Sequence, residues 1–159
     1  MNKSFWKNKR VLVTGHTGFK GSWLTLWLIK LGAKVSGLSL DPKGEEYLYN
    51  YIDFSNQLIN NIFCDIRNYN DVFNAISIAQ PDVVFHLAAQ PLVRESYKKP
   101  LYTWQTNLQG SLNLLEALKH LTHECRIVMI TTDKVYENFE WDFGYRENDR
   151  LGGEDPYSA

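Results

Sequence analysis

The feature that most limits how this chain can fold is a short apolar run, Val11-Leu12-Val13, that passes at once into Thr14-Gly15-His16-Thr17-Gly18-Phe19-Lys20-Gly21. A run that is apolar at every position, without alternation, reads as a strand buried on both faces. Beyond the glycines, Trp23, Leu24, Trp27, Leu28 and Leu31 recur at helical spacing, and Gly32 supplies the stop. Glycines spaced G-x-x-G-x-x-G between a strand and a helix permit a tight turn whose backbone can approach a phosphate group. The helix N-terminus then stabilises the negative charge.

The same alternation continues down the chain. Lys34 to Leu40 reads as a second strand, ended by Asp41-Pro42, and residues 43–57 as irregular chain with room for one short helix. Ile59 to Cys64 is a third strand, and Asn68 an N-cap before Val72, Phe73, Ile76 and Ala79 at helical spacing. Val83 to Leu87 is a fourth strand. Pro100 opens a long helix to about His120, with Leu101, Trp104, Leu108, Leu112, Leu115 and Leu118 expected inward. Ile127 to Ile130 is a fifth strand, and Glu137 to Asp155 a surface loop over a site. Strands alternating with helices imply a doubly wound parallel α/β sheet of the Rossmann-like kind, ordered 3-2-1-4-5 by right-handed crossovers.

A length of 159 residues suits one domain, so residues 1–159 are expected to form a single dinucleotide-binding unit. A net charge of −1 gives no field to attract nucleic acid or an anionic membrane. Cys64 and Cys125 lack metal-ligand spacing and are expected as free, buried or half-buried thiols in a reducing compartment. Neither the polar stretch Met1 to Arg10 nor the apolar stretch Trp23 to Leu31 makes a signal peptide or a membrane span. The expected location is cytoplasmic.

Candidate functional residues gather at the predicted strand ends. Asp41 follows the second strand, where an acid can hold adenosine ribose hydroxyls; Ser39 takes the strand-end position, with Asp41 two residues later on the same face. Asp41 before Pro42 is also a good turn former. Asp65 closes the third strand, as a partner for an adenine amino group or as a turn residue. Leu87-Ala88-Ala89 leaves room at the carboxyl edge of the fourth. Thr132-Asp133-Lys134 follows the fifth, and Tyr157-Ser158 comes after the loop. A threonine, an acid, a lysine and a tyrosine converging there form a proton-transfer set. Taken singly, Asp133-Lys134 is a solvated ion pair and Tyr157 a surface aromatic.

Thr14 to Gly21, Asp65-Ile66-Arg67, His86-Leu87-Ala88-Ala89-Gln90, Asn107, Thr132-Asp133 and Tyr157-Ser158 together resemble the extended short-chain dehydrogenase/reductase family. Within it, Gly15 to Leu24, Ala88 to Arg94, Gly144 to Asn148 and the Asp133-Lys134 pair are similar to the CDP-glucose branch of the 4,6-dehydratases. The resemblance implies NAD held by Gly15, Thr17, Gly18, Phe19, Gly21, Asp41, Asp65, Ile66, Leu87, Ala88, Ala89 and Asn107. It implies a nucleotide-sugar substrate, CDP-glucose, an internal redox cycle with loss of water, and a homodimer.

In that scheme Tyr157 takes the proton of the sugar 4-hydroxyl and Thr132 orients it. Asp133 protonates the departing 6-hydroxyl, and Lys134 stands where relatives put the carbon-5 base. A lysine in that role must be neutral, through desolvation or a neighbouring cation. The family motif is Tyr-x-x-x-Lys, and the sequence ends at Ala159, two residues short of the lysine. The unit is therefore expected to be incomplete at its C-terminus, without the last strand or strands and the sugar-binding domain, inactive alone, and self-associating through an uncovered apolar face. The competing expectations are another sugar-nucleotide dehydratase or 4-epimerase, or a non-catalytic dinucleotide-binding module.

Overall fold

The computed structural model describes residues 3–44, 47–52 and 54–159. Five strands form one parallel sheet: Arg10–Thr14 (β1), Lys34–Ser39 (β2), Asn60–Phe63 (β3), Val83–His86 (β4) and Arg126–Met129 (β5). Their order is β3-β2-β1-β4-β5, as the alternation of elements predicts. The winding reverses between β1 and β4, which pair from Val11↔Val83 to Thr14↔His86. The crevice beyond the carboxyl ends of these two strands is where such sheets bind ligands.

The inner strands β1, β2 and β4 are buried between two cores, and β1 and β4 accordingly read as apolar runs, whereas the edge strands β3 and β5 are largely exposed. On one side Leu12, Leu38 and Val84 pack with Ile66, Val72, Ile76 and Leu114. On the other, Val11, Val13, Val35 and Val83 pack with Leu28, Leu31 and Trp6. Successive side chains of β1 alternate between the two cores. A short helix, Lys3–Trp6 (α1), precedes β1, and helix Phe19–Lys30 (α2) follows the glycine turn. Between β2 and β3, the stretch expected as irregular over residues 43–57 holds a short helix, Leu48–Tyr51 (α3), and a 3₁₀ turn, Ser55–Gln57. Glu45, Glu46 and Asp53 of that stretch lie outside the described residues. Helix Tyr69–Ala79 (α4) starts at Asn68, whose side chain accepts from the Asn70 and Asp71 amides at 3.1 and 3.5 Å. At the opposite edge of the sheet, Arg10 anchors β1 to the chain entering β4, its Nη2 lying 2.6 Å from Asp82 Oδ1.

Past β4 comes another short helix, Val93–Lys98 (α5). It and α1 are too short to show a period in sequence. The long helix that follows is present but differs from expectation. It runs as Pro100–Trp104 (α6), a π-helical segment Gln105–Gln109, and Gly110–Leu118 (α7). Leu101, Trp104, Leu108, Leu112 and Leu115 face solvent; of the six side chains expected inward, only Leu118 is buried. The inward face is Thr103, Thr106, Gly110, Asn113, Leu114 and Ala117. Close approach decides this. A β-carbon on Gly110 would lie 2.5 Å from Ile66 Cδ1, and Asn113 Nδ2 donates to the Ile66 and Arg67 carbonyls at 3.0 Å each. A leucine stripe fits neither demand. Likewise Phe19, Trp23 and Trp27 line the outer face of α2, while Gly21, Ser22, Thr25 and Leu28 are buried.

Both thiols are partly buried and free, and burial pushes Cys64 up to about 11. No helix among the described residues is long and apolar enough to cross a membrane.

Two buried histidines make the fold pH-sensitive. Burial pushes His86 from an ordinary 6.5 down to about 4 and also lowers His16. The folded state holds both rings neutral while the unfolded chain takes up protons first. Stability is therefore complete above pH 6.5 and is lost as pH falls toward 4. His86 alone accounts for roughly 3 kcal/mol over that window. Urea denaturation at several pH values is expected to show this loss before the carboxylates protonate. A stability that stays flat down to pH 4.5 would contradict it.

Candidate active site

The glycine turn hangs from the end of β1. Gly15 adopts φ +72°, a left-handed conformation that disfavours side chains, and its amide donates to Leu38 O at 2.7 Å. A β-carbon there would lie 2.9 Å from Ala88 N, and one on Gly21 would run into the Gly15 carbonyl. The turn is thus pressed against the exit of β4 on one side and against its own helix on the other. Gly18 closes it by donating to Gly15 O at 3.0 Å and then serves as N-cap of α2. No side chain caps the helix and no acid sits in its first turn. The amides of Phe19, Lys20 and Gly21 lack intrahelical acceptors and point their partial positive charge outward. Such a seat suits a phosphate. These residues fit the pyrophosphate of a dinucleotide.

The wall toward β2 is polar. Thr17 Oγ1 lies 2.9 Å from Ser39 Oγ, which in turn lies 3.1 Å from His16 Nδ1. His16 Nε2 reaches Asn61 Oδ1 at 2.8 Å. The ring is fully buried, stacked with Phe63 and edge-on to Tyr49. A β-carbon on Gly37 would come within 2.5 Å of it. Sequence reasoning passed over His16, although a bulky ring inside a glycine turn needs a glycine beneath it, and Gly37 stands on the paired strand. Pairing of β2 with β3 ends at Ser39, two residues before Asp41. Ser39 is buried and Asp41 exposed.

Asp65 lies two residues past β3 and is gripped by Arg67. The Arg67 Nε donates to both carboxylate oxygens at 3.0 and 2.9 Å, and the Arg67 amide to Oδ1 at 2.9 Å. The Arg67 side-chain bond holds the Asp65 carboxyl below its ordinary range, so it remains an ionised acceptor. Arg67 in turn lies over the Tyr102 ring, 4.7 Å from its centre. A cleft of about 550 Å³ opens beside the pair, lined by Asp65, Arg67, Asn68, Tyr69, Gln105 and Gln109. Ile66 is buried against Gly110.

Past β4, the amides of Leu87 and Ala88 both donate to Thr14 Oγ1 at 3.1 Å, while Ala89 is exposed. Asn107 grips the next residue from the π-helical segment. Its Oδ1 accepts from Gln90 N at 2.8 Å and its Nδ2 donates to Gln90 O at 3.1 Å. Its amide thus fixes the course of the 87–90 backbone.

Thr132, Asp133 and Lys134 follow β5 in a 3₁₀ turn, Asp133–Val135, capped by the Thr132 hydroxyl. The segment leading to Tyr157 is tied to this turn across the loop. Gly152 N donates to Val135 O and Glu137 N to Arg150 O, both at 2.9 Å. Tyr157 itself sits in a turn organised by Asp155, whose Oδ1 accepts from Tyr157 N at 2.8 Å and Ser158 N at 3.1 Å. Burial raises the Asp155 carboxyl, but the Ser158 and Tyr157 hydrogen bonds and the Lys134 charge outweigh it and hold the group low. Lys134 is exposed and acts on a carboxylate rather than beside a cation. Between these two halves, Tyr136 stacks on Tyr145 and Trp141 packs edge-on with Phe139, Phe143 and Tyr145. Asp155 and Arg67 were both missed from sequence, since each acts only through the residue it positions.

Known proteins share this arrangement. Residues 12–159 match the family model described as GDP-mannose 4,6 dehydratase. A CDP-glucose 4,6-dehydratase of Salmonella typhimurium is 49% identical over 158 residues, 99% of this chain and 44% of that protein. A CDP-paratose 2-epimerase of Salmonella typhi is 33% identical over 88% of the chain and 41% of its own length. Among solved structures, the UDP-glucose 4-epimerase of Thermus thermophilus in complex with NAD superposes with a TM-score of 0.80 at 30% identity. The match covers 94% of this chain and 46% of that one. The chain spans less than half the length of each of these relatives. On the match of nearly its whole length, the chain belongs to the GDP-mannose 4,6-dehydratase family.

Proposed function

We propose that residues 1–159 are the dinucleotide-binding unit of an NAD-dependent 4,6-dehydratase that converts CDP-glucose to CDP-4-keto-6-deoxyglucose. The observation that carries this is the uncapped glycine turn at the reversal of the sheet, joined to 49% identity with a CDP-glucose 4,6-dehydratase. Gly15, Thr17, Gly18, Phe19 and Gly21 would hold the pyrophosphate. Asp41 would meet the ribose, and Asp65 with Ile66 the adenine. Leu87, Ala88, Ala89 and Asn107 would border the nicotinamide half. The cofactor supplies a hydride acceptor that returns what it takes.

The proton work falls to the chain. Tyr157 would remove the proton of the sugar 4-hydroxyl, oriented by Thr132. A 4-ketone acidifies the neighbouring carbon-5 hydrogen, which Lys134 would remove. Asp133 would give a proton to the 6-hydroxyl as its bond to carbon 6 breaks and water leaves. The runner-up is a 4-epimerase, favoured by the epimerases among its structural neighbours. The cytoplasm is the compartment in which such a soluble enzyme with free thiols would work.

For the whole protein we also infer a homodimer. Leu101, Trp104, Leu108, Leu112 and Leu115 form an exposed apolar stripe about 21 Å long, with no charge within it. A second copy presenting the same stripe would cover it. Light scattering is expected to show dimers that Leu108→Glu with Leu112→Glu converts to monomers of unchanged melting temperature. A monomeric starting protein would remove this inference.

Two further outcomes test the activity. Gly18 has an ordinary backbone, φ −72°, and a β-carbon there would meet only the Gly15 carbonyl, at 3.3 Å, so Gly18→Val should fold with a modest loss of stability while its branch blocks the phosphate seat. Calorimetric titration is expected to give tighter binding of NAD than NADP, weakened at least about tenfold in the variant. Equal binding by both proteins would take the glycine turn out of the site. Replacing the corresponding part of the Salmonella typhimurium relative with residues 1–159 should give a hybrid that forms the 4-keto-6-deoxy sugar. Tyr157→Phe or Asp133→Asn in that hybrid should lower kcat by roughly 100- to 10,000-fold. A 4-epimer as product would favour the runner-up.

A further inference from the structure

A chain of hydrogen bonds, buried at its centre and partly buried at its ends, crosses the seam of the sheet, and its protons can be counted. Thr14 Oγ1 accepts from the amides of Leu87 and Ala88 and lies 2.7 Å from His86 Nδ1. Those two amides, the Leu87 one shared with the Thr14 carbonyl at 3.2 Å, occupy the acceptor side of the hydroxyl, so its single proton is directed to His86 Nδ1. That nitrogen must then be bare and the ring proton must sit on Nε2. His86 Nε2 lies 3.0 Å from Ser111 Oγ, which donates its own proton to Asn107 O at 2.6 Å. Read in this direction every donor has an acceptor. The opposite tautomer would set the Nδ1 proton against the Thr14 hydroxyl and leave Nε2 without a donor.

The elements joined by this chain meet at the crevice. Thr14 leads into the glycine turn. Leu87 and Ala88 are the exit of β4. Asn107 belongs to the π-helical segment and holds Gln90 by both atoms of its side-chain amide. π-Helical segments within α-helices are frequent at functional sites. Here the Asn107 carbonyl takes its hydrogen bond from the Ser111 side chain.

We propose that His86 is a positioning residue, which as its neutral Nε2–H tautomer registers the Asn107–Gln90 clamp against the Thr14–Gly15 turn and the Leu87–Ala88 backbone. It acts through Thr14 and Ser111. Its effect on binding rests on the dinucleotide reading given above, whereas its tautomer and its hold on Gln90 do not.

Ser111→Ala removes one link from a helix that alanine suits, and Ser111→Thr restores the hydroxyl. In the chain with ¹⁵N-labelled histidine, the His86 ring is expected to show a protonated Nε2 and a bare Nδ1. In Ser111→Ala, exchange of the Gln90 amide should quicken and the Kd for NAD should rise by roughly three- to tenfold. Ser111→Thr should return both toward the starting values, which general loosening of the helix would not do. A ring protonated on Nδ1 overturns the proposal. So does a Ser111→Ala protein whose Gln90 exchange and NAD affinity are unchanged. If the starting protein binds no NAD, the dinucleotide reading fails, and ring tautomer with Gln90 exchange still decide the positioning role.

Discussion

The pairing of Thr14 with His86, where the sheet reverses its winding, is the contact on which the rest of the site depends. A parallel sheet wound to both sides from β1 leaves a crevice only at that seam. The glycine turn can lie against the β4 exit only because Gly15 has no side chain, and the β4 exit is held there because Thr14 takes its two amides. From that junction a polar network runs through Ser111 and Asn107 toward the long helix, and a second one, of Thr17, Ser39, His16 and Asn61, runs from the glycine turn toward β3.

The inner strands were legible because burial on both faces leaves apolar runs in β1 and β4, and the strand order because right-handed crossovers leave few ways to join the elements. The Asn68 cap and the stop at Gly32 were legible for local reasons, each acting on its own helix. The long helix shows where periodicity stops being informative. A leucine stripe marks a face without saying what covers it, and here Gly110 and Asn113 claim the sheet side through a close contact and two carbonyl bonds. The apolar stripe is left for another surface. The glycine turn and Thr132–Lys134 could be proposed from sequence because they sit at strand ends. Arg67, Ser111 and Asp155 were not, because each works through a partner that tertiary geometry places, as Asn113 works by reaching Ile66 across 47 positions.

Charges are arranged to fix acceptors more than to add stability. The Asp65–Arg67 pair is partly exposed, and such pairs contribute little to folding. What Arg67 does is keep Asp65 ionised and aimed, with the guanidinium lying over Tyr102. Asp155 plays the matching part near Tyr157. Its carboxylate accepts two amides and feels Lys134, so the turn carrying the tyrosine and the turn carrying the threonine share one electrostatic contact.

The two histidines flanking the end of β1 answer one requirement in the same way. A buried neutral imidazole offers a donor and an acceptor on opposite sides of a rigid ring, so it can join two polar groups that no hydroxyl could span. His86 joins Thr14 to Ser111. His16 joins Ser39 to Asn61, whose amide nitrogen is committed to the Tyr49 hydroxyl, leaving Oδ1 as an acceptor for a ring proton on Nε2. In both cases a second ring proton would destroy an acceptor that a serine or threonine hydroxyl needs, besides burying a charge. Desolvation and hydrogen-bond count therefore oppose protonation together, and the ring stays a fixed, directional spacer. Glutamine offers the same pair of functions but adds rotatable bonds, so it would bridge the groups without holding their separation. The separation is what matters at a seam where a backbone amide must stand 2.9 Å from the place a side chain would occupy.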